Sequence, residues 1–312
     1  MAERTPAERT PAEQGPAAGE FGPVVIGFDG TASGEDALAL GRWLARVSGV
    51  PAIVAVVHPS PAAIGTARVD AEWVADRHRL AEQILDGARQ VLAGTGEPVE
   101  FRIVASSSAA HGLHDLVEDE DASVVVVGSR GTGPEEQLFA GSTADRLLSG
   151  SVCPVAVAPS GVRNRKLGEL ARVGVAFIDT PEAERALDVA GRFAWRTGAA
   201  LRLYTVVPGE AEVMPLLIGA DAERAFSAAA REAYQRALEA ALAGFPPELD
   251  ATGEVRTGDV VDTLAGLGPD EVDVLFCGSR GYGPARRVLL GGVSSRLVRR
   301  ARSPVIVVPR AS

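Results

Sequence analysis

Regularly spaced glycine and hydroxyl residues form the part of this sequence that is best suited to bind a ligand. They run from Gly128 through Gly131 to Gly141, with two and then nine residues between them, and continue with Ser142 and Thr143. Glycine lets a backbone approach a ligand closely, and the N–H groups at the start of a helix attract an anion. Hydroxyl groups add further hydrogen-bond donors. The pattern therefore predicts a loop that binds phosphate.

The same pattern occurs a second time, 150 residues later in the chain. Its glycines are Gly278, Gly281 and Gly291. A lone glycine-rich loop is weak support for ligand binding, because turns alone need glycine. Two copies with the same nine-residue gap indicate an internal duplication. In the second copy Gly292 stands where Ser142 stands in the first, so one hydroxyl is missing, and Ser294 is a candidate to replace it in part.

Each loop lies between apolar runs that are typical of buried parallel strands. In the first copy, strands are predicted at residues 23–28, 52–57, 101–104, 124–127 and 155–157, and helices at 35–47, 69–93, 113–118 and 143–148. In the second copy, strands are predicted at residues 173–178, 201–207, 251–256, 274–277 and 305–308, and helices at 183–195, 221–243 and 260–267. The alternation of strands and helices repeats with the loops, so each copy is a complete folding unit.

This order predicts two tandem α/β domains, each a five-stranded parallel sheet with helices on both faces. We divide the chain into a tail at 1–21, which we expect to be disordered, a first domain at 22–160, a linker at 161–171 and a second domain at 172–312. In such sheets ligands bind beyond the carboxyl ends of the strands. Asp29, Val57 and Gly128 are all predicted to lie at that edge.

The composition and net charge of the chain limit the kinds of partner that it is expected to bind. The chain has 312 residues, 46% of them apolar, and a net charge of -10, which disfavours nucleic acid and anionic membranes as main partners. No apolar run has membrane-spanning length, and the N-terminus lacks the pattern of a signal peptide. The only cysteines, Cys153 and Cys277, have no partner nearby in sequence. We therefore expect a cytoplasmic protein with packed thiols.

With Asp29 after the first strand and the two glycine patterns, the sequence resembles the universal stress protein family over residues 22–309 and looks like a tandem member. The resemblance implies Rossmann-like, adenine nucleotide alpha hydrolase-like domains. In the ATP-binding branch of that family, the matching positions imply adenine contacts from Asp29 and Val57, ribose contacts from Val127 and Gly128, and phosphate contacts from Gly131, Gly141, Ser142 and Thr143. Arg130 is a further residue that could reach phosphate. The implied ligand is ATP, with ADP or AMP as alternatives, together with Mg2+.

The second copy departs from this pattern. Alignment of Thr180 with Thr31 puts Ile178 opposite Asp29, and Asp179 could take the role only if the following loop were one residue shorter. We expect a weakened second site, formed by Asp179, Gly278, Gly281, Gly291 and Ser294, and hence one ATP per chain.

Three functions fit the sequence. The first is a nucleotide-binding stress or signalling protein with an unknown protein partner. The second is an interaction module that needs no nucleotide, and the third is a slow ATPase or autophosphorylating protein with Ser142 or Thr143 as acceptor. Lysine-containing P-loops and nucleophile elbows are missing from the sequence, so an efficient enzyme is not favoured. His111 and His114 are a weak candidate for a metal site.

Duplication also has a consequence for assembly. Single-domain proteins of the resembled family pair as dimers, which implies an intrachain pseudo-dimer here, with the strands at 155–158 and 305–308 near the shared interface. A homodimer of the whole chain is a further possibility that the sequence leaves open.

Overall fold

The computed structural model describes residues 21–60, 71–94, 96–129, 143–208, 220–279 and 292–310. The strands are β1 (Val24–Gly27), β2 (Ala52–Pro59), β3 (Val99–Ser106), β4 (Val124–Gly128), β5 (Val155–Ala158), β6 (Arg172–Ala176), β7 (Ala200–Val207), β8 (Ala251–Thr257), β9 (Val274–Gly278) and β10 (Val305–Val308). The helices are α1 (Ala32–Ser48), α2 (Ala71–Leu92), α3 (Ala109–Asp119), α4 (Thr143–Gly150), α5 (Pro181–Thr197), α6 (Ala220–Leu242), α7 (Val260–Ala265) and α8 (Gly292–Arg300). Among these, no helix is long and apolar enough to span a bilayer.

The ten strands form one sheet with the order β3-β2-β1-β4-β5-β10-β9-β6-β7-β8. Pairing is parallel within each repeat, whereas β5 and β10 pair antiparallel, with Ile306 opposite Ala156. The predicted α/β fold with two tandem domains is confirmed, and the last strands of the two domains meet as the duplication implied. The two halves are not separate sheets, however, because each last strand offers an open edge that the other completes.

Both faces of the sheet are covered, which explains the unbroken apolar strands. Along β1, the side chains of Val24 and Ile26 belong to the core on the face that α1, α2, α5 and α6 cover, while Val25 belongs to the core on the face that α3, α4, α7 and α8 cover. This alternation follows from the two-residue period of a strand. The carboxyl ends of β1, β2 and β4 therefore open between the two layers.

Short polar residues fix the starts of the helices that flank this edge. The side chain of Thr31 accepts a hydrogen bond from the Gly34 amide, so α1 begins at residue 32 rather than at the predicted 35. Ser108 does the same for the His111 amide, which starts α3 at residue 109 rather than 113. Apolar periodicity cannot detect such first turns, because their side chains are small or polar.

The linker is fastened to the first domain by a buried carboxylate. Asp36 on α1 is only 2% exposed. Its oxygens accept hydrogen bonds from the Gly161 amide, the Arg163 amide and the Arg163 guanidinium, each at 2.9 Å. The indole of Trp43 donates to the Gly168 carbonyl at 2.8 Å. These contacts hold the linker against α1.

Candidate functional site

A cavity of about 120 Å³ lies at the carboxyl ends of β1, β2 and β4. The structure brings five of the predicted site residues to its walls: Asp29, Val57, Val127, Gly128 and Thr143. Its other lining residues, which sequence reasoning missed, are Gly27, Phe28, Ser33, Gly34, Ala55, Ala109, Leu113 and Ala144. Four more predicted residues, Arg130, Gly131, Gly141 and Ser142, lie outside the described residues. The walls combine apolar side chains with a few polar groups, as is usual for small-molecule sites.

Asp29 presents a fixed carboxylate at the rim of this cavity. Its Oδ1 atom accepts hydrogen bonds from the Thr31 amide at 3.0 Å and the Thr31 hydroxyl at 2.6 Å. The carboxylate can lie here only because residue 34 is glycine. A Cβ on Gly34 would lie 2.5 Å from the Oδ1 atom of Asp29. The carboxylate is therefore oriented before any ligand binds. An ionised carboxylate only accepts hydrogen bonds, so the ligand group that meets it has to be a donor such as an amine.

The backbone of Val57 faces the same space. In β2, the amides of Ala52 and Ser60 donate to carbonyls along the β3 segment, and the carbonyl of Ala55 accepts from the Phe28 amide on the β1 side. Because backbone groups along a strand alternate between its two neighbours, the amide and carbonyl of Val57 point to the β1 side. There β1 has already ended, since Ala55 pairs with its last residue. A donor and an acceptor on the Val57 backbone therefore face the β1 side of the strand, at the cavity that Asp29 also lines.

Gly128 has a packing reason to be glycine. A Cβ at this position would lie 2.0 Å from the carbonyl oxygen of Ser33 in the first turn of α1. The Ser33 hydroxyl donates to the Ser129 carbonyl at 3.0 Å and tightens the same contact. In the second repeat, a Cβ on Gly278 would lie 2.7 Å from the Glu182 carbonyl. This glycine is thus required by the fold in both repeats, whatever the loop binds.

In the second repeat Ile178, and not Asp179, stands at the position of Asp29. The pairs β1–β4 and β6–β9 have the same register, and Thr31 and Thr180 both cap the following helix, so no residue is lost between strand and helix. Ile178 lines the corresponding cavity, and Asp179 is exposed outside it. An isoleucine side chain cannot accept a hydrogen bond from a base.

The corresponding cavity is also almost closed, with a volume of about 10 Å³. By the same register, Ala176, Ala183 and Tyr204 stand at the positions of Gly27, Gly34 and Ala55. The carboxylate of Glu182, which contacts Arg310 at 3.7 Å, stands at the position of Ser33. The larger side chains leave less room for a ligand here than in the first repeat.

Ser294, the candidate to replace the missing hydroxyl of the second loop, lines the small second cavity. It is buried, and its hydroxyl donates to the Gly278 carbonyl at 2.8 Å, so its hydrogen is engaged within the fold. Gly281 and Gly291 lie outside the described residues. The described part of the second repeat therefore keeps the fold of the site while losing the carboxylate at the position of Asp29.

His111 and His114 of the first repeat are paired with carboxylates on the surface of α3. His111 lies 3.6 Å from Asp115, and His114 lies 3.6 Å from Glu118, each one helical turn apart. Within the described ranges, no cluster of three or more histidine, cysteine or acidic side chains is arranged to hold a metal ion.

Both cysteines are buried free thiols, and Cys277 lines the small second cavity. Burial raises the pKa of the Cys153 thiol to about 11 and that of Cys277 to about 12, with partial offset from the Ser151 and Ser294 hydroxyls. Both groups are therefore neutral thiols near neutral pH rather than nucleophiles.

We expect iodoacetamide at pH 8 to leave native Cys153 and Cys277 unmodified, and to alkylate both in denaturant. A free thiol ionises near pH 8.5, so the unfolded chain releases these protons at lower pH than the folded chain does. The stability that the buried thiols contribute is complete below about pH 8.5 and is lost as the pH rises towards about 11. Chemical denaturation between about pH 8.5 and about pH 11 measures this loss of unfolding free energy. The loss should be smaller in a Cys153→Ala/Cys277→Ala variant than in the wild type. Rapid alkylation of the native chain would contradict the assignment.

Comparison with known proteins places this geometry in a family. The profile of the Universal stress protein family matches residues 20–159 and, a second time, residues 170–309. Universal stress protein Rv2319c of Mycobacterium tuberculosis (strain ATCC 25618 / H37Rv) is 30% identical over 297 residues, which cover 92% of this chain and 99% of that protein. Universal stress protein Mb2028c of Mycobacterium bovis is 29% identical over 300 residues, covering 91% of this chain and 96% of that protein.

Solved structures agree in fold. A universal stress protein from Archaeoglobus fulgidus DSM 4304 superposes with a TM-score of 0.63 at 20% identity, covering 93% of this chain and 97% of that chain. A putative universal stress protein from Pseudomonas aeruginosa UCBPP-PA14 superposes with a TM-score of 0.60 at 15% identity, covering 93% and 94% of the two chains. Since the family profile matches both repeats and the relatives align over nearly their whole length, the chain belongs to the universal stress protein family and carries two tandem copies of its domain.

Proposed function

We propose that the first domain binds ATP, with ADP or AMP as related ligands, and that the chain is a nucleotide-dependent stress or signalling protein. The observation that carries this proposal is the meeting of the Asp29 carboxylate with the amide and carbonyl of Val57 at one cavity. Two acceptors and one donor at the same cavity suit the amine and ring nitrogen of adenine. The family's ATP-binding branch uses the matching positions.

The size of the cavity suggests which part of the ligand would lie inside it. Its volume of about 120 Å³ is below the roughly 300–1,000 Å³ of sites that enclose a whole ligand. We propose that it holds the base, with ribose near Val127 and Gly128. The phosphates would then lie over the glycine loop and the start of α4, where Thr143 lines the cavity and backbone amides favour an anion.

Mg2+ would enter with the nucleotide. Magnesium keeps several waters and is commonly held through substrate phosphates with one or two carboxylates. Asp29 lies at the base end of the proposed site, so the phosphates and water would supply most ligands of the ion. Bound Mg2+ would neutralise part of the phosphate charge.

We expect slow turnover or none, because the described walls of the cavity carry no His, Lys or second carboxylate that could act as a general base. The proposal predicts that an adenine nucleotide stays on the protein through purification and is identified by mass spectrometry after denaturation. Purified protein that carries no nucleotide and does not bind added ATP would instead favour the interaction module. Steady-state hydrolysis at about 1 per second or faster would favour an enzyme.

A further inference from the structure

The helix that starts at the proposed phosphate site carries an acidic residue in its first turn. Thr143 and Ala144, the first residues of α4, line the cavity, and Asp145 follows them directly. A carboxylate is favourable for the helix itself, because the helix start is partly positive. It is unfavourable for a phosphate that binds to the same helix start, because the two negative charges repel.

The second domain supplies a cation that compensates this charge. Arg299 lies on α8, and its Nη2 atom donates to both carboxylate oxygens of Asp145, at 3.1 and 3.0 Å. The Asp145 side chain is only 23% exposed, so the pair is partly shielded from water. The neighbouring Arg300 instead pairs at 2.7 Å with Asp262, within the second domain.

This ion pair has no equivalent when the two repeats are exchanged. With the 150-residue offset of the glycine patterns, Ser295 stands at the position of Asp145, and Ser149 stands at the position of Arg299. The duplicated pattern therefore does not place a matching ion pair on the second site. The acidic residue and the arginine that compensates its charge therefore both act at the first domain, which has the open cavity.

We propose that Arg299 tunes nucleotide affinity in the first domain by neutralising Asp145, so that the second domain contributes to the site electrostatically without binding nucleotide itself. This inference rests on the proposed function. Arg299 is a positioning residue that acts through Asp145 and does not itself contact the ligand. Its effect should grow with the negative charge of the ligand and fall as salt is added.

The test is calorimetric titration of the full chain with Mg-ATP and, separately, with adenosine, at low and high ionic strength. Arg299→Ala should weaken ATP binding about two- to five-fold at low salt, which is the size of a charge effect at a helix terminus. Adenosine binding should not change, because adenosine has no phosphate. Addition of salt should shrink the difference for ATP.

Two further variants separate charge from packing. Arg299→Ala combined with Asp145→Asn should restore ATP affinity to at least the wild-type level, because the repelling charge is gone. Arg300→Ala removes an arginine of similar exposure, 56% against 54%, and should leave ATP affinity unchanged. Equal loss of ATP and adenosine binding in Arg299→Ala, or no rescue by Asp145→Asn, would overturn the inference. If the wild-type chain binds neither ligand, the proposed function itself fails, and the inference fails with it.

Discussion

Asp29→Asn is expected to weaken ATP binding by about 10- to 100-fold without unfolding the chain. The loss of a hydrogen bond to a charged acceptor is worth about 1.5–3 kcal/mol. Asparagine keeps one oxygen that can accept from the amide and hydroxyl of Thr31, so the turn into α1 should survive. Its NH2 group replaces the second carboxylate oxygen and would face the amine of the base, donor against donor. Isothermal titration with ATP measures the effect.

Asp179→Asn is the matched control for this substitution. It makes the same chemical change at an exposed residue in the corresponding loop of the second domain, where Ile178 holds the site position. ATP affinity should stay at the wild-type value, and far-UV circular dichroism should be unchanged in both variants. If Asp29→Asn binds ATP as tightly as wild type while folding normally, Asp29 does not recognise the base.

Asp36→Ala should be the most destabilising single change in the first domain's linker contacts. It removes the acceptor of two backbone amides and one guanidinium, all at 2.9 Å. Arg163 is 31% exposed and can turn towards water, so we expect the lower part of the range for a broken buried pair, about 2–4 kcal/mol. For a chain of this size the melting temperature should fall by roughly 3–6 °C.

Glu35→Ala tests whether that effect depends on burial. Glu35 also contacts Arg163, at 3.2 Å, but its side chain is half exposed. An exposed pair contributes about 0–1 kcal/mol, so this variant should melt close to wild type. Similar melting temperatures for Asp36→Ala and Glu35→Ala, measured by differential scanning calorimetry, would show that the linker clamp adds little to stability.

Local patterns were enough to predict the fold. The glycine spacing located the duplication, and the apolar strands gave the parallel sheets because both faces are buried. The sequence also placed Asp29, Val57 and Gly128 at one edge, since the carboxyl ends of parallel strands meet there. These predictions rest on the periodicity and order of elements, which a single sequence contains.

Contacts between distant residues could not be predicted in the same way. The clamp of Asp36 on residues 161 and 163 joins positions 125 and 127 apart, and nothing local distinguishes it from a surface aspartate. The importance of Ala55 appears only by comparison with Tyr204, which takes its place across 149 residues. Asp179 does not stand at the position of Asp29 because a shift of one residue moves a side chain off its face, and the helix cap at Thr180 permits no shift.

The two domains differ in the cavity that each offers a nucleotide, and the number of nucleotides bound per chain measures this difference. The first domain has an open cavity of about 120 Å³ with a carboxylate at its rim, and the second has about 10 Å³ with an isoleucine in that place. Isothermal titration of the nucleotide-free chain with Mg-ATP should therefore give one site per chain. Two equivalent sites, or no binding at all, would contradict a single nucleotide site in the first domain.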